Sequence, residues 1–309
     1  MLSRYLTLAV VVPLGTALLA SGCSSAAAGS SDPGGKIVAV GAENEYANVI
    51  GQVGGKYVQA SAIMSNPNTD PHTFEASASV ARLVSSAQLV VQNGVGYDTF
   101  MNTIENAAPS SSRKVVTVQD LLGLPDSTPN PHLWYKQVTM PAVAYAVAAD
   151  LAALQPAHAS FFKAQAAAFV SSLSTWNNAM AALASKHAGT PVATTEPVAD
   201  YMLQAVGADN VTPWALQADI MNGTDPSAQD VATQRSLFTQ HKVKVFLYNQ
   251  QVTDSLTESF ISLAQANGIP VVGVYETMPE PGYDYQSWML TEVQDLQKAV
   301  VDKVSSEHL

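Results

Sequence analysis

The sequence predicts an α/β protein of two lobes, each a mainly parallel sheet with flanking helices, joined by one long rigid helix. Three observations support this prediction. Short apolar runs alternate with helical patterns, these units fall into two clusters, and an uninterrupted helical segment separates the clusters. Strand–helix alternation is typical of parallel sheets covered by helices. The length of 309 residues fits two domains at about 150 residues each.

The predicted strands are short and nearly continuously apolar, as expected for parallel strands covered on both faces. They cover residues 36–40, 57–63, 89–92 and 114–118 in the first cluster, and 191–194, 243–248 and 270–275 in the second. Amphipathic patterns between them predict helices over residues 45–53, 79–86, 97–107, 228–240, 255–267 and 285–304.

The segment 156–186 predicts the linking helix. Pro156 suits a first helical position, the following residues are rich in alanine, and no further glycine or proline interrupts them. A helix of about 30 residues is about 45 Å long, enough to run the length of a two-lobed molecule. We therefore assign residues 36–155 to the N-terminal lobe and 187–309 to the C-terminal lobe.

The N-terminus reads as a targeting segment. Arg4 precedes an apolar run over residues 5–20, and small residues lead to Cys23, the chain's single cysteine. This pattern resembles the lipobox of bacterial lipoproteins, so we expect residues 1–22 to be a signal peptide and Cys23 to be lipidated. An ordinary signal peptide with an incidental cysteine is the alternative. Residues 23–35, rich in serine, alanine and glycine, are expected to form a flexible tether.

The composition excludes several classes of protein. The net charge is −11, and only 13% of residues are charged, which argues against nucleic acid as a partner. One cysteine excludes an internal disulfide framework and a Cys-rich zinc site. No stretch after residue 23 is long and apolar enough to span a bilayer.

Two histidines share one local motif. His72 lies in DPHTF (residues 70–74) and His132 in NPHLW (residues 130–134). Proline fixes its own φ and favours an extended conformation in the preceding residue. Each histidine is therefore expected on a stiff turn beside an aromatic side chain, which suits a rigid metal ligand.

Two carboxylates follow predicted strands of the second cluster. Glu196 comes after the strand at 191–194, and Glu276 after the strand at 270–275. The carboxyl ends of parallel strands are where open α/β sheets bind ligands. Two neutral imidazoles and two carboxylates form a shell of charge −2, which neutralises a divalent ion and suits zinc or manganese.

These segments resemble the metal-binding substrate-binding lipoproteins of bacterial ABC importers, a zinc/manganese family that includes adhesin-like lipoproteins. The matching segments are GGKYVQASAIMSNPNTDPHTFEAS, NGVGYDTFM, NPHLW, TTEPVADYML and NGTDPSAQDVA. The resemblance implies four metal ligands, which are His72, His132, Glu196 and Glu276. It also implies one divalent metal ion as cargo (Zn²⁺ or Mn²⁺, with Fe²⁺ as a further option).

The resemblance further implies a monomer on the outer face of the bacterial cytoplasmic membrane, anchored through Cys23, that serves an ABC permease and its ATPase subunit. The sequence has no G-x-x-x-x-G-K-[ST] motif, so nucleotide hydrolysis is expected on the partner. Glu196 replaces the histidine usual in zinc members, and no His-rich loop precedes His132. Both departures favour slightly a harder ion, such as manganese or ferrous iron.

Two other functions fit parts of the pattern. The same side chains could hold a catalytic zinc in a hydrolase, although four protein ligands leave no open position for water and no H-E-x-x-H motif occurs. An adhesin role accompanies the family resemblance without support from particular residues. We expect a binding protein and not an enzyme.

Overall fold

The computed structural model describes residues 35–66, 74, 76–279 and 281–309. Residues 35–309 form one compact unit. The signal peptide, Cys23 and the candidate ligand His72 lie outside the described residues, so the predictions that concern them stay predictions.

Two four-stranded sheets contain the eight described strands. In the first sheet these are β1 (Ile37–Glu43), β2 (Val58–Met64), β3 (Leu89–Gln92) and β4 (Lys114–Thr117). In the second they are β5 (Pro191–Thr194), β6 (Asp209–Asn210), β7 (Val245–Asn249) and β8 (Val271–Val274). All pairings between these strands are parallel, which confirms the predicted fold class.

The two sheets have the same strand order, β2-β1-β3-β4 and β6-β5-β7-β8. In each sheet the first strand of the lobe pairs with both the second and the third. The strand order therefore reverses between β1 and β3 and again between β5 and β7. Such switch points open a crevice at the carboxyl ends of the strands. The lobes thus repeat one topology, although no sequence repeat is evident.

Twelve helices accompany the sheets in the described part of the chain. They are α1 (Asn44–Gly54), α2 (Ala78–Ser86), α3 (Thr99–Ala107), α4 (Val118–Leu121), α5 (Thr139–Leu154), α6 (Ala159–Ser172), α7 (Ser174–His187), α8 (Asp200–Ala205), α9 (Trp214–Met221), α10 (Ala228–Thr239), α11 (Ser255–Ala266) and α12 (Tyr285–Asp302).

Each of the seven predicted strands and six predicted amphipathic helices overlaps an observed element. The largest element that the sequence analysis missed is α5. Its sequence, TMPAVAYAVAADLAAL, is apolar nearly all round, so it carries no clear helical period. Only one face of the helix is buried, yet its exposed face is also apolar, with Tyr145 51% exposed, so the sequence shows no amphipathic contrast. Strand β6 was also missed, because two residues give no pattern.

The predicted linking helix is present as two consecutive segments, α6 and α7. Between them Leu173 keeps a right-handed helical backbone, and its N–H donates to Val170 O in a 3₁₀ pattern at 3.3 Å. The Ser172 hydroxyl donates to Phe169 O at 2.6 Å. Serine side chains that bond to nearby carbonyls compete with helical hydrogen bonds, which explains the local irregularity.

The linking helix packs against the C-terminal helix α12. The buried Tyr285 ring lies 6.2 Å from the Phe169 ring on α6 and 6.0 Å from the Trp176 ring on α7. The largest apolar cluster includes Val91 from the first sheet and Leu247 from the second. The two sheets therefore share one continuous core. No helix in the described ranges is long and apolar enough to cross a membrane.

Gly41 lies where the backbone of β1 comes close to the backbone of α1. A Cβ at this position would lie 2.4 Å from Ala47 N and 2.7 Å from Glu43 O, both backbone atoms. We expect Gly41→Ala to lower the free energy of unfolding by about 1–3 kcal/mol, because the chain must move to admit the methyl group. Urea denaturation measures this change.

Gly51 on α1 supplies the matched control. A Cβ there would lie 3.8 Å from the Ala60 side chain, an ordinary contact. Gly51→Ala is expected to raise the free energy of unfolding by up to about 1 kcal/mol, because alanine is the better helix former. A stabilising Gly41→Ala would contradict the close approach of backbone at that position.

Candidate metal site

Three polar side chains meet at the carboxyl ends of the second sheet. Glu196 lies two residues past β5, Asn249 is the last residue of β7, and Glu276 lies two residues past β8. Because β7 lies between β5 and β8, Asn249 is placed between the two glutamates. All three side chains are buried, with exposed fractions of 2%, 1% and 0%.

His132 reaches this group from the N-terminal lobe. Its Nε2 lies 3.2 Å from Glu276 Oε2, and both side chains are fully buried. The histidine sits on a tight turn, in which Leu133 N–H donates to Pro131 O at 2.6 Å, and a 3₁₀ turn over Leu133–Tyr135 follows. The stiff turn expected from the NPHLW motif is therefore present, and it directs the ring toward the other lobe.

Asn130 determines which nitrogen of His132 carries a proton. Asn130 Oδ1 accepts the backbone N–H of His132 at 3.0 Å and also lies 2.7 Å from His132 Nδ1. A backbone N–H can only donate, so this atom is the amide oxygen, and Nδ1 must be the protonated nitrogen. In the neutral ring Nε2 then carries the lone pair that faces Glu276, and this is the form of histidine that binds metals.

Asn130 is itself held by the C-terminal lobe. Its side-chain Nδ2 donates to Pro197 O at 2.7 Å, and its backbone carbonyl accepts a hydrogen bond from the Tyr201 hydroxyl at 2.8 Å. Both partners lie just after Glu196 in the chain. The residue that orients His132 is thus anchored to the segment that presents Glu196.

Asn249 joins the two glutamates. Its Nδ2 donates to Glu196 Oε1 at 3.2 Å and makes a short contact to Glu276 Oε1. An amide nitrogen carries two hydrogens, one for each carboxylate. Within the described residues, no group of three or more histidine, cysteine, aspartate or glutamate side chains has metal-holding geometry by itself. The structure therefore pairs His132 with Glu276 and links Glu196 to them through Asn249.

Tyr97 closes the N-terminal side of the site. Its hydroxyl donates to Glu276 Oε2 at 2.9 Å, and its ring lies 5.9 Å from the His132 ring and 5.1 Å from the Trp134 ring. Burial, followed by the nearby Glu276 charge, raises the pKa of Tyr97 well above its usual value. The phenol therefore stays protonated and acts as a hydrogen-bond donor.

Neither Tyr97 nor Asn249 was predicted from the sequence to be a site residue. Tyr97 lies in NGVGYDTFM, one of the segments that carry the family resemblance, so a signal for it existed. Asn249 is the first residue of a polar run at the end of the apolar strand β7. Glu196 and Glu276 likewise come at the ends of apolar strands. Its position between two carboxylates depends on strand order, which the chain does not display locally.

A family model described as zinc-uptake complex component A, periplasmic (ZnuA), matches residues 40–299. The chain belongs to this family. A ZnuA-family protein is the substrate-binding component of a metal uptake system, so this chain is a binding protein and not an enzyme, as predicted. The hydrolase alternative is thereby excluded. No protein of curated function matches the chain by sequence at a significant level.

Solved structures of periplasmic binding proteins have the same fold. The periplasmic zinc-binding protein TroA from Treponema pallidum is 19% identical, with a TM-score of 0.73, over 87% of this chain and 100% of that one. FpvC from Pseudomonas aeruginosa, solved with Mn²⁺, is 18% identical, with a TM-score of 0.71, over 87% of this chain and 99% of that one. A cadmium-bound periplasmic metal-binding protein from Candidatus Liberibacter asiaticus is 18% identical, with a TM-score of 0.67, over 87% of this chain and 99% of that one.

Two further polar side chains, Gln251 and Tyr135, support the segment that carries Glu276. Gln251 Oε1 accepts the backbone N–H of Glu276 at 2.6 Å and that of Thr277 at 2.7 Å. The Tyr135 hydroxyl lies 2.8 Å from Tyr275 O and 3.2 Å from Glu292 Oε1. These contacts hold the segment after β8 in place, and with it the Glu276 carboxylate.

Glu292 on α12 is a buried acid in this support. Trp288 Nε1–H donates to its Oε1 at 3.0 Å, and the carboxyl group is fully buried. Burial raises the pKa of Glu292 from 4.5 to about 8. The native protein therefore holds a proton at neutral pH that the unfolded chain releases.

We expect Glu292 to make the free energy of unfolding fall as pH rises from about 4.5 to about 8. The native state binds more protons than the unfolded state in this window, and one such group contributes a slope of up to about 1.4 kcal/mol per pH unit. Glu292→Gln should flatten the slope, because the amide does not titrate. Urea denaturation across the window measures it.

The exposed carboxyl of Glu258 on α11 provides a control, since Glu258→Gln should leave the wild-type slope in place. A Glu292→Gln protein with the wild-type pH dependence would show that Glu292 is ionised in the native state.

Proposed function

We propose that this protein captures one divalent transition-metal ion between its lobes and presents it to an ABC permease. The observation that carries the proposal is the contact between His132 Nε2 and Glu276 Oε2, 3.2 Å apart and contributed by different lobes. When His132 is neutral, with its proton on Nδ1, both facing atoms carry lone pairs. A cation shared by the two atoms relieves their repulsion.

The proposed ligand set is His72, His132, Glu196 and Glu276. Three of these lie in the described residues and come together directly or through Asn249, and His72 is added from the family resemblance. Two imidazoles and two carboxylates would cancel the charge of one divalent ion. Zinc and manganese are the leading cargo ions and ferrous iron is a third, because mixed nitrogen and oxygen ligands suit all of them.

The buried acid Glu43 is not part of this set. It ends β1 in the N-terminal lobe, is 2% exposed, and burial, followed by the Asp98 and Glu45 charges, raises its pKa well above the usual value. A carboxyl group that keeps its proton is a poor metal ligand. The net charge of the proposed site therefore stays close to that of its two ligand glutamates.

Delivery would follow from a difference between the loaded and empty forms. An ion bound by ligands from both lobes favours the arrangement in which the lobes approach, and a permease that binds this arrangement would select the loaded protein. The packing of α12 on the linking helix would keep the change small. The ATPase subunit of the importer would supply nucleotide hydrolysis.

We also propose that Cys23 carries a lipid and that residues 24–35 tether the body to the outer face of the cytoplasmic membrane. The lipobox-like sequence supports this proposal. A tether keeps the binding protein at a high effective concentration near its permease.

The ligand set is tested by a competition titration. The soluble body, residues 35–309, is stripped of metal and offered zinc and manganese together with a chelating dye. We expect tight one-to-one binding, and a loss of at least about 100-fold in affinity for His72→Ala and Glu196→Ala, because removing a ligand should cost more than the loss of a group that only supports one.

Glu258→Ala, which removes an exposed carboxyl on α11, is the matched control and should bind as the wild type does. Circular dichroism should show that all variants are folded. Wild-type affinity in His72→Ala or Glu196→Ala would remove that residue from the ligand set.

The lipid anchor is tested by fractionating cells that express the full chain. Cys23→Ala should move the protein from the membrane fraction to the soluble fraction, because the acyl chains can no longer be attached. Retention of Cys23→Ala at the membrane would contradict lipidation at this residue.

A further inference from the structure

Asn249 is hydrogen-bonded to one oxygen of each glutamate. Its Nδ2 contacts Oε1 of Glu196 and Oε1 of Glu276. The other oxygen of Glu276, Oε2, is the one that faces His132 Nε2 and accepts the Tyr97 hydroxyl. The two oxygens of this carboxylate therefore have different tasks.

The orientation of the Asn249 amide is fixed by its neighbours. Its Oδ1 accepts the backbone N–H of Gln251 at 2.9 Å, and its own backbone N–H donates to Thr195 Oγ1 at 3.0 Å. Because a backbone N–H can only donate, Oδ1 is the oxygen, and the NH₂ group must face the carboxylates. With the side chain 1% exposed, no water competes for these hydrogen bonds.

We infer that Asn249 is a specificity-determining positioning residue, which restricts Glu196 and Glu276 to one metal-binding oxygen each and thereby favours zinc over manganese. The inference rests on the proposed function, because it concerns the same metal. It assigns a role to a residue that does not itself bind the ion.

The physical reason is coordination number. Zinc is satisfied by four ligands in a tetrahedron, which two histidines and two singly bound carboxylates supply. Manganese favours oxygen ligands in an octahedron, and in a buried site with the same four residues the nearest source of two extra ligands is the second oxygen of each carboxylate. Such binding would strip Asn249 of its acceptors and leave a buried amide N–H group unsatisfied.

The preference for zinc that Asn249 creates opposes the preference that follows from the type of ligand alone. A glutamate at position 196 favours a harder ion, such as manganese or ferrous iron. The amide of Asn249 limits how many oxygens that glutamate offers. The balance between the two ions is therefore set in part by a side chain outside the coordination shell.

The test measures the ratio of the manganese and zinc dissociation constants in the soluble body, residues 35–309. In Asn249→Ala this ratio should fall by at least about tenfold, so that manganese gains relative to zinc. The reason is that both glutamates are then able to bind the ion through two oxygens. A tenfold change corresponds to about one buried hydrogen bond. Crystal structures of the zinc- and manganese-loaded proteins should show singly bound carboxylates in the wild type and doubly bound ones in manganese-loaded Asn249→Ala.

Gln251→Ala is the matched control. Gln251 supports the backbone at Glu276 and Thr277 through its Oε1, and its Nε2 donates to Thr277 Oγ1 at 3.0 Å. A loss of structural support should weaken the binding of both metals in parallel and leave the ratio of their dissociation constants unchanged. A shift of the ratio in Asn249→Ala alone would support a role in selectivity.

The outcomes separate this inference from the proposed function. If the wild type binds neither ion, metal capture is wrong and the inference fails with it. If the wild type binds metal but the ratio is unchanged in Asn249→Ala, the inference is wrong and metal capture stands. If Asn249→Ala does not fold, the loaded wild-type structure decides, since carboxylates bound through both oxygens would overturn the inference.

Discussion

The contact between His132 and Glu276 is the constraint on which the rest of the site depends. His132 Nε2 and Glu276 Oε2, both fully buried and 3.2 Å apart, belong to different lobes. Since Asn130 fixes the His132 proton on Nδ1, the pair is stable only with a positive charge, supplied by a proton on Nε2 or by a metal ion. A cation at this contact, whether a proton or a metal ion, would therefore also hold the two lobes together.

Neutral amides do most of the positioning around this contact. Asn130 orients His132, Asn249 holds the two glutamates, and Gln251 supports the backbone of Glu276. An amide can direct a carboxylate or an imidazole without adding charge, so the site retains the negative charge that attracts a divalent ion. A lysine or arginine in the same place would compete with the cargo. The small share of charged residues in the chain agrees with this design.

The same strand order in both sheets explains why the site lies where it does. The second sheet opens a crevice where its strand order reverses, Glu196 and Glu276 lie at the carboxyl ends of its strands, and His132 of the other lobe meets Glu276 there. Behind them, α12 connects the site to the linking helix, because Glu292 supports the segment after β8 while Tyr285 packs on Phe169 and Trp176. The candidate site and the helix that joins the lobes are thus connected through α12.

The sequence by itself determined the fold class, the positions of most strands and helices, and the strand-end carboxylates, because hydrophobic periodicity and proline chemistry are local properties. It indicated the stiff turn at His132 for the same reason. It missed α5, whose apolar surface has no period. The pairing of His132 with Glu276 and the place of Asn249 between two glutamates were decided by tertiary structure alone. Strand order brings β7 between β5 and β8, and that order is set by packing between distant segments, which no local pattern records.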